Sequence, residues 1–574
     1  MTQRPFIYTS PQSGTDVVNE REEAKVWLDK ISDSMCMAKW LHTSLHLTNG
    51  RTHSCYHPPT HSISIDQIGG RANALHNTDQ KKSERAAMLK GDKPDGCKYC
   101  WSIEDAPMAP PGGHRSDRHY RSSEHWAKPY RDAVLEAGAT GDINPTYVEV
   151  NFNQACNFKC AYCSPHLSTE WHKEVEQFGP YPTTTPHNAL PALTANGLMP
   201  LTVASKDNPY VEAFWRWWPE LYETLLVFRM TGGEPLMDKN TFKVLDYVAA
   251  NPKGDLEISI TSNMCPPDPK LMDKFIESLI RIQNYEATAF IVAQEQEGNP
   301  DHESWPRVVV DKESVPADTL HRLRLMDSGT VSKDSIDWYD FDTRKKTKQV
   351  GSYAYPLTDT KACKHVAVYV SVDGYGKQAE YIRNGLEYDT LVNNTKRILS
   401  ETHFTSVSFI NTFNLLSVPS FKKFLNQILD LRKWVNEMQH DPLKNTEYND
   451  YWSRQRIWFD IPTLRTPEWL NLQLLPATHY QYLYSALEFM QANSVDVLGD
   501  LVGFQHHEID KLKRNIGWLE NQQLDSYNKE VLMRDFYAFF SEHDKRRSTN
   551  FLKTFPEFRQ FWKNCEHTYY VRKH

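Results

Sequence analysis

The sequence predicts an α/β protein built on a parallel sheet, open or closed into a barrel. Two observations carry that expectation. Short strand-like runs recur from about residue 146 to 461, and helix-like stretches follow most of them. Strands that alternate with helices form βαβ units, whose crossovers bring the strands parallel. Several of the runs also end in polar residues, the arrangement of barrel enzymes, whose chemistry gathers at the carboxyl ends of the strands.

Residues 146–152 (TYVEVNF) alternate apolar and polar side chains, as a half-buried strand requires. Residues 225–230 (LLVFRM) form a second strand, with a helix at about 239–250, and residues 256–261 (LEISIT) a third, with a helix over 269–283. A fourth strand spans 365–373, ahead of a helix after Leu386. The fifth covers 404–413, ahead of a helix over 418–436, and residues 457–461 (IWFDI) are the sixth. Two stretches break this rhythm: 178–212, rich in Pro, Thr and Asn, and 286–362, polar and charged. Both are too long for ordinary connections and read as insertions. Ahead of the sheet lie an extended arm, a helix over 18–31, a segment at 36–105 rich in Cys and His, and a Pro/Gly-rich linker at 106–144. Residues 476–574 are helical and aromatic-rich.

At 574 residues the chain is too long for one simple core, so two or three domains are expected. A net charge of −8 argues against a nucleic-acid footprint. No apolar run approaches the roughly 18 residues of a membrane span. The first residues, MTQRPFIYTSPQSGTD, lack the apolar core of an export signal, so the expected location is the cytoplasm. In such a compartment, tight groups among the ten cysteines point to metal or redox chemistry instead of disulfides.

Cys156, Cys160 and Cys163 follow the first strand with three and then two residues between them. Thiolates so spaced can wrap one face of a cubane iron–sulfur cluster and leave one iron open to a chelating ligand. The same thiols also fit a zinc knuckle short of one ligand. Gly232-Gly233-Glu234-Pro235 follows the second strand. Its glycines let backbone approach a ligand closely, and its carboxylate suits an ammonium; a plain strand-to-helix turn is the alternative. The third strand ends in Thr261-Ser262-Asn263. The fourth ends in Ser371-Val372-Asp373-Gly374, with Arg383 ten residues beyond Asp373. An arginine fork suits a carboxylate.

Taken together, these motifs resemble the radical S-adenosylmethionine (SAM) superfamily. The resemblance implies a partial (β/α)6 TIM-type barrel over about 145–475. It implies a 4Fe–4S cluster on Cys156, Cys160 and Cys163 whose open iron binds the methionine end of SAM. It also implies SAM contacts from Tyr162, Gly232, Gly233, Glu234, Pro235, Ser262, Asn263, Ser371 and Arg383. Asp373 would orient SAM, cap its turn or act as a base. Cys36, Gly50 and Cys55, with Cys97 and Cys100 further on, resemble the opening of the SPASM and twitch auxiliary-cluster domains. Four cysteines fit the one-cluster twitch form, so residues 1–105 are expected to hold a second 4Fe–4S cluster. Twitch domains generally follow the barrel, whereas this segment precedes it, and a four-cysteine zinc site fits the same spacings. Segments 74–78, 379–385 and 543–550 resemble twitch-containing radical SAM proteins of phages and marine bacteria.

The implied activity is reductive cleavage of SAM, followed by hydrogen abstraction from a substrate, with modification of a peptide or protein side chain as the leading reading. The alternatives are dehydrogenation of a small alcohol or sugar-like substrate, and an iron–sulfur electron-transfer or binding protein without SAM chemistry. Implied partners are the substrate and an electron donor such as flavodoxin or ferredoxin; no nucleic acid or membrane is expected.

Other residues are read more plainly. Cys265, near the expected barrel mouth, is a structural thiol, with a hydrogen-donor role as its rival. Cys363 is structural and Cys565 incidental. His53, His57 and His61 pack or hydrogen-bond in preference to ligating. His506 and His507, adjacent on a helix, point to different faces. Residues 214–218 (FWRWW) are packing aromatics. Lys545-Arg546-Arg547 is a solvated basic run able to meet an acidic peptide or phosphate.

Overall fold

A computed structural model describes residues 14–107, 114–201, 208–283, 289–294, 307–311, 339–340, 345–346, 352–357, 363–402, 405–439, 455–521 and 524–571. The expected N-terminal arm and most of the insertion at 286–362 lie outside the described residues. The chain divides into two compact units. One holds the residues up to Cys156, with Leu193–Asn240 and Asp255–Thr261; the other holds Asn157–Ala192, Thr241–Gly254 and the residues from Ser262 onward.

The first unit carries β1 (His42–His46), β2 (Arg51–His53), β3 (His61–Ser62), β4 (Tyr147–Asn151), β6 (Val227–Thr231) and most of β7 (Lys253–Ser262); β5 (Lys159–Cys160) belongs to the second. Its strands run in the order β7-β6-β4-β1-β2-β3. β1, β4, β6 and β7 are parallel, and β2 and β3 extend the edge antiparallel. Register sets Leu45, Val150, Met230 and Ile260 in one row across four strands, every one of them buried. Such near-continuous burial marks a parallel sheet covered on both faces. The helix Pro209–Thr224 is capped by Asn208, whose side-chain oxygen accepts the Tyr210 and Val211 N–H groups at 2.9 and 3.3 Å. Its Phe214 packs edge-on to Phe152, and its Trp218 to Phe228 of β6. Residues 214–218 are thus packing aromatics, as read, but on a helix that covers the sheet.

Two expectations are corrected in this unit. Residues 114–144, read as linker, form the helices Asp117–Ser123 and Arg131–Ala137 and send Trp126 and Val134 into a core with Met35, Trp40 and Tyr147. The Pro/Gly-rich start of the stretch hid these apolar anchors. The segment at 36–105 is not set apart either, because its β1 pairs parallel with β4. β1 was illegible because four of its five residues, HTSLH, are polar; the sheet buries His42 to Leu45 all the same.

The second unit carries β8 (Ala289–Gln294), β9 (Arg307–Asp311), β10 (Tyr339–Asp340), β11 (Lys345–Lys346), β12 (Ser352–Leu357), β13 (Cys363–Ser371), β14 (Arg383–Asn384), β15 (Thr405–Ile410) and β16 (Ile457–Asp460). β13, β15 and β16 lie side by side and parallel, with Val368, Val407 and Ile457 in register and buried. The helices Tyr388–Glu401 and Phe421–Gln439 follow β13 and β15 in sequence. β8, β9 and β12 form a separate antiparallel sheet, and β10 pairs with β11. The expected helical C-terminal region is present, its longest helix being Ser526–Arg547. Both units are therefore α/β with parallel strands, and in neither do the described strands close into a barrel. Among the described residues no helix is long and apolar enough to cross a membrane.

Candidate functional site

In the second unit the cysteine loop is pinned by a two-residue ladder. β5 pairs antiparallel with β14, so that Cys160 faces Arg383, and the Ala161 N–H donates to the Ile382 carbonyl at 2.7 Å. The loop then tightens on itself through the Cys163 N–H, which donates to the Cys160 carbonyl at 2.9 Å. Trp171 Nε1 holds the same carbonyl at 2.9 Å. Gly385, at φ +109°, lets the chain leave β14 against the loop; a Cβ there would lie 2.8 Å from Phe158 and 3.0 Å from the Asn157 carbonyl.

Arg383 joins three of the predicted residues. Its Nη1 donates to the Cys160 sulfur at 3.6 Å, its Nε pairs with Asp373 Oδ2 at 2.6 Å, and its guanidinium lies 5.5 Å from the Tyr162 ring centre. Asp373 is fully buried and also accepts the Tyr162 hydroxyl at 2.7 Å and the Thr412 N–H at 2.8 Å. Asn263 joins the loop as well: its Nδ2 donates to Asn157 Oδ1 at 2.9 Å, and its Oδ1 accepts the Cys265 N–H at 2.8 Å. Cys265 accordingly serves the turn by its backbone. Ser262 takes the Met264 N–H at 3.0 Å, while Ser371 ends β13 half-buried.

The electrostatics favour fixed charge over proton transfer. Burial pushes the Cys160 thiol up, while Arg383 pulls it down. Burial and the neighbouring Cys160 push Cys163 up to about 12. Burial also raises the Asp373 carboxyl, opposed by Arg383 and the Tyr162 hydroxyl. Burial opposes the charge on Arg383, but Asp373, Tyr162 and Cys160 together raise it and hold the guanidinium protonated. Two buried thiols this resistant to ionisation need a cation to become ligands, and thiolates suit zinc or iron.

In the first unit, Gly232–Pro235 grips the segment that leads to Cys156, which is half-buried and ends that unit's first stretch of chain. The Gly233 N–H donates to the Asn153 carbonyl at 3.3 Å, and the Glu234 N–H to the Ala155 carbonyl at 2.6 Å. Glu234 is buried, and its carboxylate accepts the Leu236 N–H at 3.1 Å; Pro235 opens the short turn that follows. A Cβ on Gly233 would run into the Ala155 carbonyl and the Gln154 backbone. Gly233→Ala is expected to displace this segment at a cost of about 1–3 kcal/mol, read by chemical denaturation. Gly254→Ala, whose added methyl meets nothing within 4 Å, should leave stability nearly unchanged.

Cys36, Cys55, Cys97 and Cys100 are free thiols that line one cavity of the first unit, together with Lys39, Met88, Trp101 and Arg118. Burial raises all four, pushing Cys55 up to about 12, and Cys36 is raised further by the other three. Mutual repulsion of this kind places them within electrostatic reach of one another, and their donor chemistry fits a zinc or iron–sulfur centre with four thiolate ligands. Among the described residues, no three Cys, His, Asp or Glu side chains are placed to hold a metal ion as they stand. Cys55 sits at φ +49°, a left-handed conformation that costs a side chain energy and is tolerated where surrounding structure fixes it. The nearby histidines have partners other than these thiols: His57 pairs with Asp117 at 2.6 Å, His61 bonds Thr78 at 2.9 Å, and His53 faces His46 at 3.2 Å.

One part of the second site was misread. Arg546 and Arg547 are not solvated; their side chains are 3% and 1% exposed. Arg547 pairs with Glu174 at 3.1 Å and donates to the Lys159 carbonyl at 2.7 Å, bracing β5. Lys159 joins Glu174 at 2.6 Å. Three residues of one sign looked like a solvated face because Glu174 lies far away in sequence. Against the cost of burial, Arg547 holds Glu174 down to about 2, below its ordinary 4.5. A depressed carboxyl contributes stability that is complete above about pH 4.5 and is lost as pH falls toward 2, here about 3 kcal/mol. Acid titration of the unfolding midpoint should show that loss, and Glu174→Gln should flatten it. Cys363 and Cys565 are buried, on β13 and the last helix, away from any assigned role. His506 begins a helix exposed, and the buried Glu508 beside it pairs with Arg432 at 2.7 Å.

No family model matches the chain, and no curated protein matches it. Among solved structures it is similar to the crystal structure of Streptococcus suis SuiB, at 10% identity over 74% of this chain and 72% of that one, with a TM-score of 0.25. It is likewise similar to the crystal structure of SuiB bound to S-adenosylmethionine, at 10% identity over 76% and 75%, with the same TM-score of 0.25. At that level the functional reading rests on this chain's own residues.

Proposed function

We propose that the protein is a radical SAM enzyme that modifies a peptide or protein side chain. The observation that carries this reading is the joint fixing of Cys160, Tyr162, Asp373 and Arg383 at the end of β13, with the Cys156–Cys160–Cys163 spacing on the loop they hold. Cys156, Cys160 and Cys163 would ligate a 4Fe–4S cluster, whose open iron, when present with SAM, supplies one-electron cleavage of SAM and hydrogen-atom abstraction. Arg383 brings positive charge to the Cys160 sulfur and pairs with the buried Asp373 carboxyl. Asp373 in turn orients the Tyr162 ring and the Thr412 backbone. Gly232, Gly233 and Glu234 would contact SAM, the Gly233 and Glu234 backbone holding the segment that leads to Cys156 in place. Cys36, Cys55, Cys97 and Cys100 would hold an auxiliary cluster, and flavodoxin or ferredoxin would supply the electron.

A peptide substrate needs an open groove. A solvent-open cavity of about 580 Å3 lies along Tyr375, Val418, Lys422, Lys423, Tyr482 and Phe489, beginning two residues past Asp373 in sequence. None of the residues assigned to the cysteine loop lines it, so the choice of a peptide over a small alcohol or sugar rests on the resemblance read from the sequence.

The test is spectroscopic. The anaerobically reconstituted, dithionite-reduced protein should show an electron paramagnetic resonance signal that changes when SAM is added, because SAM reaches the open iron. Iron-loaded protein whose signal ignores SAM would instead be an electron-transfer or binding protein.

A further inference from the structure

We propose that Lys39 is a fixed cation that raises the reduction potential of the cluster held by Cys36, Cys55, Cys97 and Cys100. The proposal rests on reading those four thiols as iron–sulfur ligands.

Lys39 follows Cys36 by three residues, and its side chain is only 2% exposed. Its ammonium lines the same cavity as the four thiols, pairs with Glu84 at 2.5 Å and lies within electrostatic reach of Cys97 and Cys55. A buried ammonium is costly unless it is paired and hydrogen-bonded. Glu84 meets only part of that need, for its carboxylate is 16% exposed and also takes a bond from Gln80 at 3.4 Å. Other charged groups around the cavity are turned to different partners. Arg118 is bound to Glu104 at 2.7 Å and to the Met35 carbonyl at 3.0 Å, Arg121 lies over the Tyr56 ring, and Asp117 pairs with His57. Lys39 sits among the thiols, three residues after Cys36, with its charge acting on Cys97 and Cys55.

A cluster with four thiolate ligands is anionic, and each electron it gains makes it one unit more negative. A buried cation in the same low-dielectric cavity therefore stabilises the reduced form more than the oxidised one.

The experiment uses the full chain carrying Cys156→Ala/Cys160→Ala/Cys163→Ala, so that only the N-terminal cluster gives a signal. It is reconstituted with iron and sulfide and titrated with dithionite under paramagnetic resonance. Lys39→Met should make reduction at least tenfold less favourable, about 59 mV for one electron. Lys39→Arg, which keeps the charge, should stay near the parent, and Glu84→Gln, which removes the opposing charge, should shift upward. Lys39→Met with full iron and an unmoved potential overturns the proposal. If Lys39→Met holds no iron, Glu84→Gln decides: an upward shift supports the proposal and an unmoved potential overturns it. A parent chain that binds zinc and no iron overturns the cluster reading itself, a failure distinct from an unmoved potential.

Discussion

Arg383→Ala is expected to unfold the cysteine loop before the rest of its unit and to cost about 3–5 kcal/mol, the usual penalty for breaking a buried ion pair from one side. Asp373 is fully buried and would be left with only the Tyr162 hydroxyl and the Thr412 N–H for partners. Burial already raises this carboxyl, so without Arg383 it would take up a proton and the loss would shrink at low pH. The reporter is the Ala161 amide, bonded to the Ile382 carbonyl across the β5–β14 ladder. Its hydrogen exchange should accelerate in Arg383→Ala far more than that of β15. Equal acceleration everywhere would make Arg383 a general core residue.

Removal of the N-terminal thiols should act through metal. In the variant Cys36→Ala/Cys55→Ala/Cys97→Ala/Cys100→Ala, bound metal should fall by the content of one site. The parent should lose stability when chelated, whereas the variant should not respond. A metal bound a thousandfold above its dissociation constant contributes about 4 kcal/mol, so the parent's shift should be of that order. The physical basis is four thiols in one cavity whose ionisation burial opposes in each. Identical metal content and identical melting in parent and variant would remove this site from the account.

Much of the fold was legible because β4, β6, β7, β13, β15 and β16 carry their own apolar runs, and each helix between them has its own periodicity. β1 was not, since HTSLH is made buried by its neighbours and not by its composition. Trp126 and Val134 were lost behind a Pro/Gly-rich entry that looks like linker. Of the candidate site, the pattern of cysteines and glycines could be read because those residues have few substitutes for their chemistry. Arg383 was expected to meet a carboxylate of SAM; its partners here are Asp373 and the Cys160 sulfur. Lys39, Glu84, Glu174 and Arg547 stayed hidden for a different reason. Each is an ordinary charged residue whose meaning comes from a partner distant in sequence, and one sequence carries no sign of that pairing.

The most direct test of the radical SAM reading is formation of 5′-deoxyadenosine from SAM by the anaerobically reconstituted, dithionite-reduced protein. The parent is compared with Cys156→Ala/Cys160→Ala/Cys163→Ala, with iron counted in each. The account predicts about eight irons and product in the parent, and about four irons and no product in the variant. Product that persists in the variant, or a fully iron-loaded parent that makes none, would contradict it.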